Sequence, residues 1–298
     1  MVNLDNKRPP LSYRGRFAPS PSGLLHFGSL VTALASYLDA KHHHGTWLVR
    51  IEDIDPPREL VGASSEILNT LEAYGLHWDE DVLYQSQQSQ QYQQTLQQLA
   101  DKQLTYNCQC TRAQIKKLGG IYSSTCRTLH LPATNNATRL VNNVGIFEFN
   151  DTIQGQYIGD QSSAAEDFTL VRKDGLFAYQ LAVVVDDIFQ NITHVVRGCD
   201  LLEPTLRQLS FFDVLNVKAP IYSHIPLAVT QDGYKLSKQN KAPAINNKNP
   251  QPALIAALHY LGQNPPEDLI FEPVESIIKW AISHWSISKI TQKKEIAI

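Results

Sequence analysis

Several things are scarce in this sequence, and each scarcity removes a class of protein. No apolar run is long enough to cross a bilayer. Residues 1–12 are polar and lack the apolar stretch of a secretory leader. Cysteine is sparse, with 4 in 298 residues and two of them in one Cys-x-Cys, which does not suit a disulfide framework. A reducing, cytoplasmic setting is the expectation. An excess of positive charge is also missing: the formal net charge is −3. Any nucleic acid must then be met by a local patch. What remains is 43% hydrophobic and 18% charged, the composition of a soluble globular protein. The length accommodates one large domain with an insertion or appendage.

The most informative stretch begins at Arg16. Arg16-Phe17-Ala18-Pro19-Ser20-Pro21-Ser22-Gly23 holds two prolines and ends in glycine, which excludes a helix or a central strand. Leu30, Leu34 and Leu38 then recur at helical spacing, with Ala33 and Tyr37 beside them. A loop therefore feeds a helix, with His26 and Gly28 at the junction. A helix N-terminus has unpaired N–H groups and a partial positive charge, which suit a phosphate. His26 adds a donor there, and Gly28 lets a flat group approach the backbone. A bare His-x-Gly would serve equally as a helix cap with a surface histidine.

Trp47–Ile51 is an apolar run suited to a buried parallel strand. Its carboxyl end carries Glu52, Asp53 and Asp55, and in open α/β sheets ligands sit at such ends. Acidic groups there suit an amino group or a metal. His42-His43-His44 before Gly45 reads as a helix end, where the dipole favours histidine. Helices are expected over 59–75 and 85–104. The order strand, helix, strand, helix, helix points to a doubly wound parallel α/β sheet.

The pattern breaks at Cys108-Gln109-Cys110, followed by Cys126. Three thiols in this arrangement suggest Zn²⁺. By chemistry alone His130 is the ordinary fourth ligand, since a phenol is an unusual one. Short β-like stretches over 137–175 read as a small β-rich insertion. Tyr179 opens an apolar run and reads equally as a core residue, and Arg197 ends a strand.

The string from Arg16 to Leu30 resembles the first signature of class I glutamyl-tRNA synthetases, and Arg50-Ile51-Glu52-Asp53-Ile54-Asp55 resembles a second stretch of the same family. Lys235-Leu236-Ser237-Lys238-Gln239-Asn240 is similar to the second class I signature, a lysine loop that closes on ATP. Two lysines three apart can neutralise charge on a leaving pyrophosphate. The pattern departs at Ser29, where the longer signature has a second His, and at Gln239, where it has Ser. Cys-x-Cys, then Tyr, then Cys after three further residues resembles a shorter family among these enzymes, the glutamyl-Q tRNA(Asp) synthetases.

The resemblance implies a class I Rossmann-type fold. Residues 1–104 would form the first half of the catalytic domain and 105–176 a zinc-containing insertion. Residues 177–244 would form the second half with the lysine loop, and 245–298 a short helical region with no room for an anticodon-binding domain. It implies one structural Zn²⁺ on Cys108, Cys110, Tyr122 and Cys126, with His130 the alternative to Tyr122. It implies glutamate bound by Arg16, Phe17, Ala18, Pro19, Ser20, Glu52, Tyr179 and Arg197, with Glu52 on the ammonium. ATP, with Mg²⁺, would be held by His26, Gly28, Lys235 and Lys238, of which His26 and Lys238 are the catalytic pair. Arginine distinguishes a carboxylate from an amide by charge-assisted bidentate bonds. The pairing adopted puts Arg16 with Tyr179 on the side-chain carboxylate and Arg197 on the other, and the reverse stays open. The implied activity is ligase-type: glutamate and ATP give glutamyl-adenylate, and the glutamyl group passes to queuosine in the anticodon loop of tRNA(Asp). The rivals are a truncated glutamyl-tRNA synthetase charging a tRNA 3′ end, a small-molecule nucleotidylyltransferase, and a non-enzymic tRNA-binding module. A monomer without membrane association is expected.

Overall fold

The structure, a computed structural model, describes residues 12–117, 119–230 and 243–298. Strand β1 (Arg14–Phe17) leads into the proline loop, whose Pro19 and Pro21 have no N–H to continue a ladder. Helix α1 (Phe27–His42) then buries Leu30, Leu34 and Leu38 together with Val31 and Ala35. It ends in the histidine run. His43 Nδ1 lies 2.8 Å from the Asp39 carbonyl and His42 Nδ1 2.8 Å from that of Ile282, so these rings finish a helix, as expected. Gly45 makes the turn into β2 (Thr46–Ile51), where a Cβ would stand 2.5 Å from the Tyr13 carbonyl oxygen.

Helix α2 (Ala63–Ala73) is shorter than the periodicity suggests. Pro56 and Pro57 sit in a separate 3₁₀ turn, and Gly62 takes a left-handed conformation (φ 82°) that sets the helix start. Strand β3 (Leu83–Tyr84) is followed by α3 (Ser89–Asp101), a glutamine-rich helix that buries Tyr92 and Leu99. The insertion contains β4 (Thr105–Cys108), α4 (Arg112–Lys117), β5 (Ala137–Leu140), β6 (Glu148–Asp151), β7 (Gly155–Ile158), α5 (Gln161–Ala164) and β8 (Thr169–Val171). β4, β5 and β8 form an antiparallel sheet, and β6 and β7 a separate hairpin. The chain returns with α6 (Tyr179–Phe189), β9 (His194–Gly198), α7 (Leu202–Val214), β10 (Ile221–Ile225) and β11 (Leu227–Val229). Then come α8 (Gln251–Tyr260), α9 (Val274–His284) and β12 (Glu295–Ala297), which pairs parallel with β11.

β1, β2 and β3 are parallel, as are β9 and β10. The two sets meet where the N–H of Thr193, just before β9, donates to the Arg14 carbonyl of β1 at 2.9 Å. The strand order is therefore β3-β2-β1-β9-β10, and it reverses direction at β1. A doubly wound sheet opens a crevice at the carboxyl ends of the strands flanking such a reversal. Those ends carry Arg16 and Phe17 on β1 and Arg197 and Gly198 on β9.

The C-terminal helices share a core with α1. Leu254, Leu258, Ile277 and Ile278 are buried with Leu30, Leu34 and Leu38, each such side chain being worth about 1.5–3 kcal/mol. The buried Asp39 carboxylate accepts from the Tyr13 hydroxyl (2.5 Å) and the Trp285 indole (2.9 Å), which fixes the register between these layers. Among the described residues, no helix is long and apolar enough to cross a membrane.

Candidate active site

The crevice at the sheet reversal is a cavity of about 560 Å³. Arg16, Phe17, Ala18, Pro19, Ser20, His26, Gly28, Glu52, Tyr179 and Arg197 all line it. Residues far apart in sequence are thus brought together by β1, β2, α1, α6 and β9. Lys235 and Lys238 lie outside the described residues. The residues on either side of that segment border the cavity's His26 end. Ala228 lines it, Ala244 forms a β-bridge with His26, and the Ile245 N–H donates to the Leu25 carbonyl at 3.1 Å.

His26 is the N-cap of α1. Its Nδ1 accepts from the Ser29 N–H at 3.4 Å, so the neutral ring carries its proton on Nε2. Ser29, the departure from the longer signature, supplies the backbone amide of this contact.

The floor of the cavity is a buried charge network. Arg16 Nε lies 3.1 Å from Asp187 Oδ1, and Arg50 Nη1 lies 2.8 Å from the same oxygen. Arg50 also faces Asp186 and Glu52, each at 3.9 Å, and donates to Gln190 Oε1 at 3.0 Å. Asp186 accepts from the Gln85 amide (2.7 Å) and the Tyr92 hydroxyl (2.8 Å). Burial alone would push Asp187 up, but Arg16 and Arg50 hold it below the usual carboxylate range. Asp186 is raised by burial in spite of Arg50. Glu52 is pushed up to about 7: burial outweighs Arg50 and Arg16, and Asp187 and Asp186 add to the rise. Its N–H donates to the Pro19 carbonyl at 3.0 Å, which pins the proline loop to the end of β2. The arrangement gives a largely buried, proton-sensitive acid opposite Arg16 and Arg197, suited to a ligand carrying an ammonium and carboxylates.

Arg197, 3% exposed, donates from Nε to His224 Nε2 (3.1 Å) and from Nη2 to Thr205 Oγ1 (2.6 Å) and Gln208 Oε1 (2.7 Å). Gly198 follows it because a Cβ would lie 2.7 Å from Asp200 Oδ1 and 2.9 Å from Leu227. Tyr179, at the start of α6, has its phenol raised by burial.

A second cavity of about 640 Å³ shares Ser20, Glu52 and Tyr179 with the first. Its wall includes Arg58, Arg112, Arg139, Arg172 and Lys173 together with the acids Glu52, Asp55 and Asp174. Asp55 braces it, 2.9 Å from Arg58 and 3.0 Å from Arg172.

Cys110, the thiol nearest that cavity, belongs to a cluster with Cys108 and Cys126 in which the sulfurs lie within 4.8 Å of one another. Cys110 and Cys126 are 3.6 Å apart. Tyr122 accepts from the Cys126 N–H at 2.9 Å, and the Arg139 guanidinium stacks on its ring at 3.9 Å. Burial would raise the Cys126 thiol, yet hydrogen bonds from Tyr122, the Gln109 backbone and the two other thiols bring it to about 7. His130 is exposed and outside this cluster. Three thiols, one of them readily ionised, fit a thiophilic metal ion.

Asp186, Asp187, His224 and Asp151 lie behind residues of the cavity wall and in none of the sequence motifs; Arg50, which joins them, lies in one, but the motif gives it no role. One signal was present: two adjacent acids inside the apolar run of α6, which a buried helix tolerates only with partners.

The family model for tRNA synthetases class I (E and Q), catalytic domain, matches residues 12–294. A glutamyl-Q tRNA(Asp) synthetase from Colwellia psychrerythraea is 60% identical, over 100% of this chain and 100% of its own. One from Pectobacterium atrosepticum is 52% identical, over 93% of this chain and 86% of its own. Among solved structures, a glutamate tRNA ligase from Elizabethkingia meningosepticum, in complex with its amino acid, superposes with a TM-score of 0.79 at 25% identity. That match covers 95% of this chain and 66% of the other. The chain belongs to the class I (E and Q) tRNA synthetase family and, within it, to the glutamyl-Q tRNA(Asp) synthetases.

Proposed function

We propose that this chain activates L-glutamate with ATP and transfers the glutamyl group to queuosine in the anticodon loop of tRNA(Asp). The observation that carries the reading is one cavity in which a buried acid, two arginines and a tyrosine stand beside the N-terminus of α1. The relatives' names supply the acceptor.

Glu52 receives the substrate ammonium, and Arg16 and Arg197 face its two carboxylates, with Tyr179 beside Arg16. The α-carboxylate attacks the α-phosphorus of ATP and pyrophosphate leaves. The nucleophile is already ionised, so the protein supplies position and charge stabilisation instead of a base. His26 Nε2–H, Gly28 and the α1 N-terminus meet the phosphates, whose Mg²⁺ arrives with ATP. Lys235 and Lys238 are assigned to the leaving pyrophosphate on the sequence resemblance. The acceptor nucleoside enters through the second cavity, past its arginine-bearing wall at the insertion, and attacks the acyl carbon to release AMP.

Cys108, Cys110, Cys126 and Tyr122 would hold Zn²⁺, which supplies a structural cross-link between β4 and the loop that ends at Cys126. The chain as purified should carry about one zinc per molecule, as thiol-zinc sites bind tightly. Atomic emission spectroscopy checks this. Zinc retained at full occupancy in Cys126→Ser would remove the cluster from consideration.

The decisive experiment offers labelled glutamate and ATP with two transcript-matched tRNA(Asp) samples, with and without queuosine, both lacking the 3′-terminal adenosine. Label is expected on the queuosine form alone. Absence of label from both, with charging restored by an intact 3′ end, would leave an aminoacylating enzyme instead.

A further inference from the structure

Arg197 is held by residues that have no place in the chemistry above. Its Nε–H points at His224 Nε2, 3.1 Å away, and His224 Nδ1 lies 2.6 Å from Asp151 Oδ2. The His224 backbone N–H donates to the other oxygen of Asp151 at 3.1 Å. The side chains of His224 and Asp151 have no solvent exposure. Asp151 belongs to the β6–β7 hairpin of the insertion, whereas Arg197 and His224 lie on β9 and β10 of the main sheet.

We propose that Asp151 and His224 are positioning residues that fix the guanidinium plane of Arg197 for a substrate carboxylate. The proposal rests on the reading of Arg197 as a glutamate contact. An arginine Nε is always a donor, so the imidazole nitrogen facing it must offer a lone pair. The neutral ring then has its proton on Nδ1, where Asp151 accepts it. Asp151 thereby selects the tautomer, and the tautomer selects the orientation of Arg197. Thr205 and Gln208 take Nη2, leaving Nη1 with no hydrogen-bond partner among the described residues. That unmatched donor lies on a residue at the cavity wall, as a carboxylate contact requires. The Tyr222 ring stacks on His224 at 6.1 Å and 15°, Phe149 meets it edge-on at 6.0 Å, and Thr205 Oγ1 lies 3.2 Å from its Nε2, so the imidazole has little room to turn.

The Asp151 Oδ1 atom also accepts the N–H groups of Ile153 and Gln154, at 3.0 and 2.9 Å. In Asp151→Asn the amide oxygen is kept on that side by three backbone donors. Its NH₂ then faces His224 Nδ1, the ring proton moves to Nε2, and two donors oppose each other at Arg197. ATP–pyrophosphate exchange should show the KM for glutamate raised about 10- to 100-fold, the range for a lost hydrogen bond to a charged group, with the KM for ATP within about twofold. Nitrogen-15 spectra of labelled histidine should show the tautomer exchange. Should Asp151→Asn fail to fold, His224→Gln, which keeps an acceptor, is compared with His224→Leu, which does not. The Leu variant should show the large glutamate effect and the Gln variant most of its rescue. A folded Asp151→Asn or His224→Leu protein with unchanged KM for glutamate overturns the proposal, as does an equal rise for both substrates. Arg197→Lys separates the layers. A raised KM there with a flat Asp151→Asn response overturns the positioning role alone, while an unchanged KM in Arg197→Lys removes the reading beneath it.

Discussion

Replacing Asp187 by alanine should destabilise the protein by about 3–5 kcal/mol, the cost of leaving a buried charge uncompensated. Two guanidinium groups, Arg16 at 4% and Arg50 at 0% exposure, have this carboxylate as their nearest ion-pair partner, at 3.1 and 2.8 Å. Domains are stable by about 5–15 kcal/mol, so about a fifth or more of the total is at stake. Asp187→Asn is expected to cost less, since the amide oxygen still accepts from one arginine. The pH dependence follows from the direction of the shift. Asp187 is held below its usual range, so its contribution is complete above the unfolded-state value of about 3.9 and is lost as pH falls through the lower native value. The gap between wild type and Asp187→Ala should therefore narrow in acid. Urea denaturation at pH 7 and pH 3 reads both effects, and a loss below about 1 kcal/mol at pH 7 would show that the arginines find other partners.

Glu52→Gln should lower kcat/KM for glutamate by about 30-fold or more, because truncating one side of a buried ion pair costs about 2–5 kcal/mol. The carboxyl is raised to about 7, so below that pH it is increasingly protonated and unable to receive an ammonium. In the wild type, KM for glutamate should climb towards tenfold per unit as pH falls below about 7, and this slope should vanish in Glu52→Gln. Stability moves the other way. Between the unfolded value of about 4.3 and the native value of about 7, the folded state holds the extra proton. Glu52 therefore contributes progressively less stability as pH rises through that window, and Glu52→Gln should be at least as stable as wild type at pH 8. An inactive but stable variant separates a binding role from a folding one. Parallel pH profiles for the two proteins would assign the slope to another group.

The parts of the site legible in sequence are those that sit in short, locally constrained strings. The loop from Arg16 to Ser20, His26 and Gly28 are set by two prolines and a helix start, and Glu52 by the end of an apolar strand. The structure gathers them around one cavity with Tyr179 and Arg197. The network beneath was not legible. Arg50 is the penultimate residue of a buried strand, and its partner Asp187 is 137 positions further along, on a helix that reads as apolar. Asp151 ends a strand and accepts from Ile153 and Gln154, and its contact with His224 depends on a hairpin docking that no local pattern encodes. The thiol cluster was legible by spacing. The surroundings of the cluster were not, since they depend on how the following loop turns: Tyr122 accepts the Cys126 N–H, whereas His130 is exposed.

The central place of β1 also has a consequence during synthesis. One edge of β1 pairs with β2, about 30 residues further along, and the other meets Thr193, 179 residues away. At translation rates of about 5–20 residues per second, that second edge stays open for about 10–40 s after β1 emerges. During that interval a nascent chain presents an unpaired parallel strand edge, the kind of surface that templates association with other chains. The interval spans the whole insertion. The newborn sheet is therefore most exposed to chaperones and to aggregation while the insertion is being made.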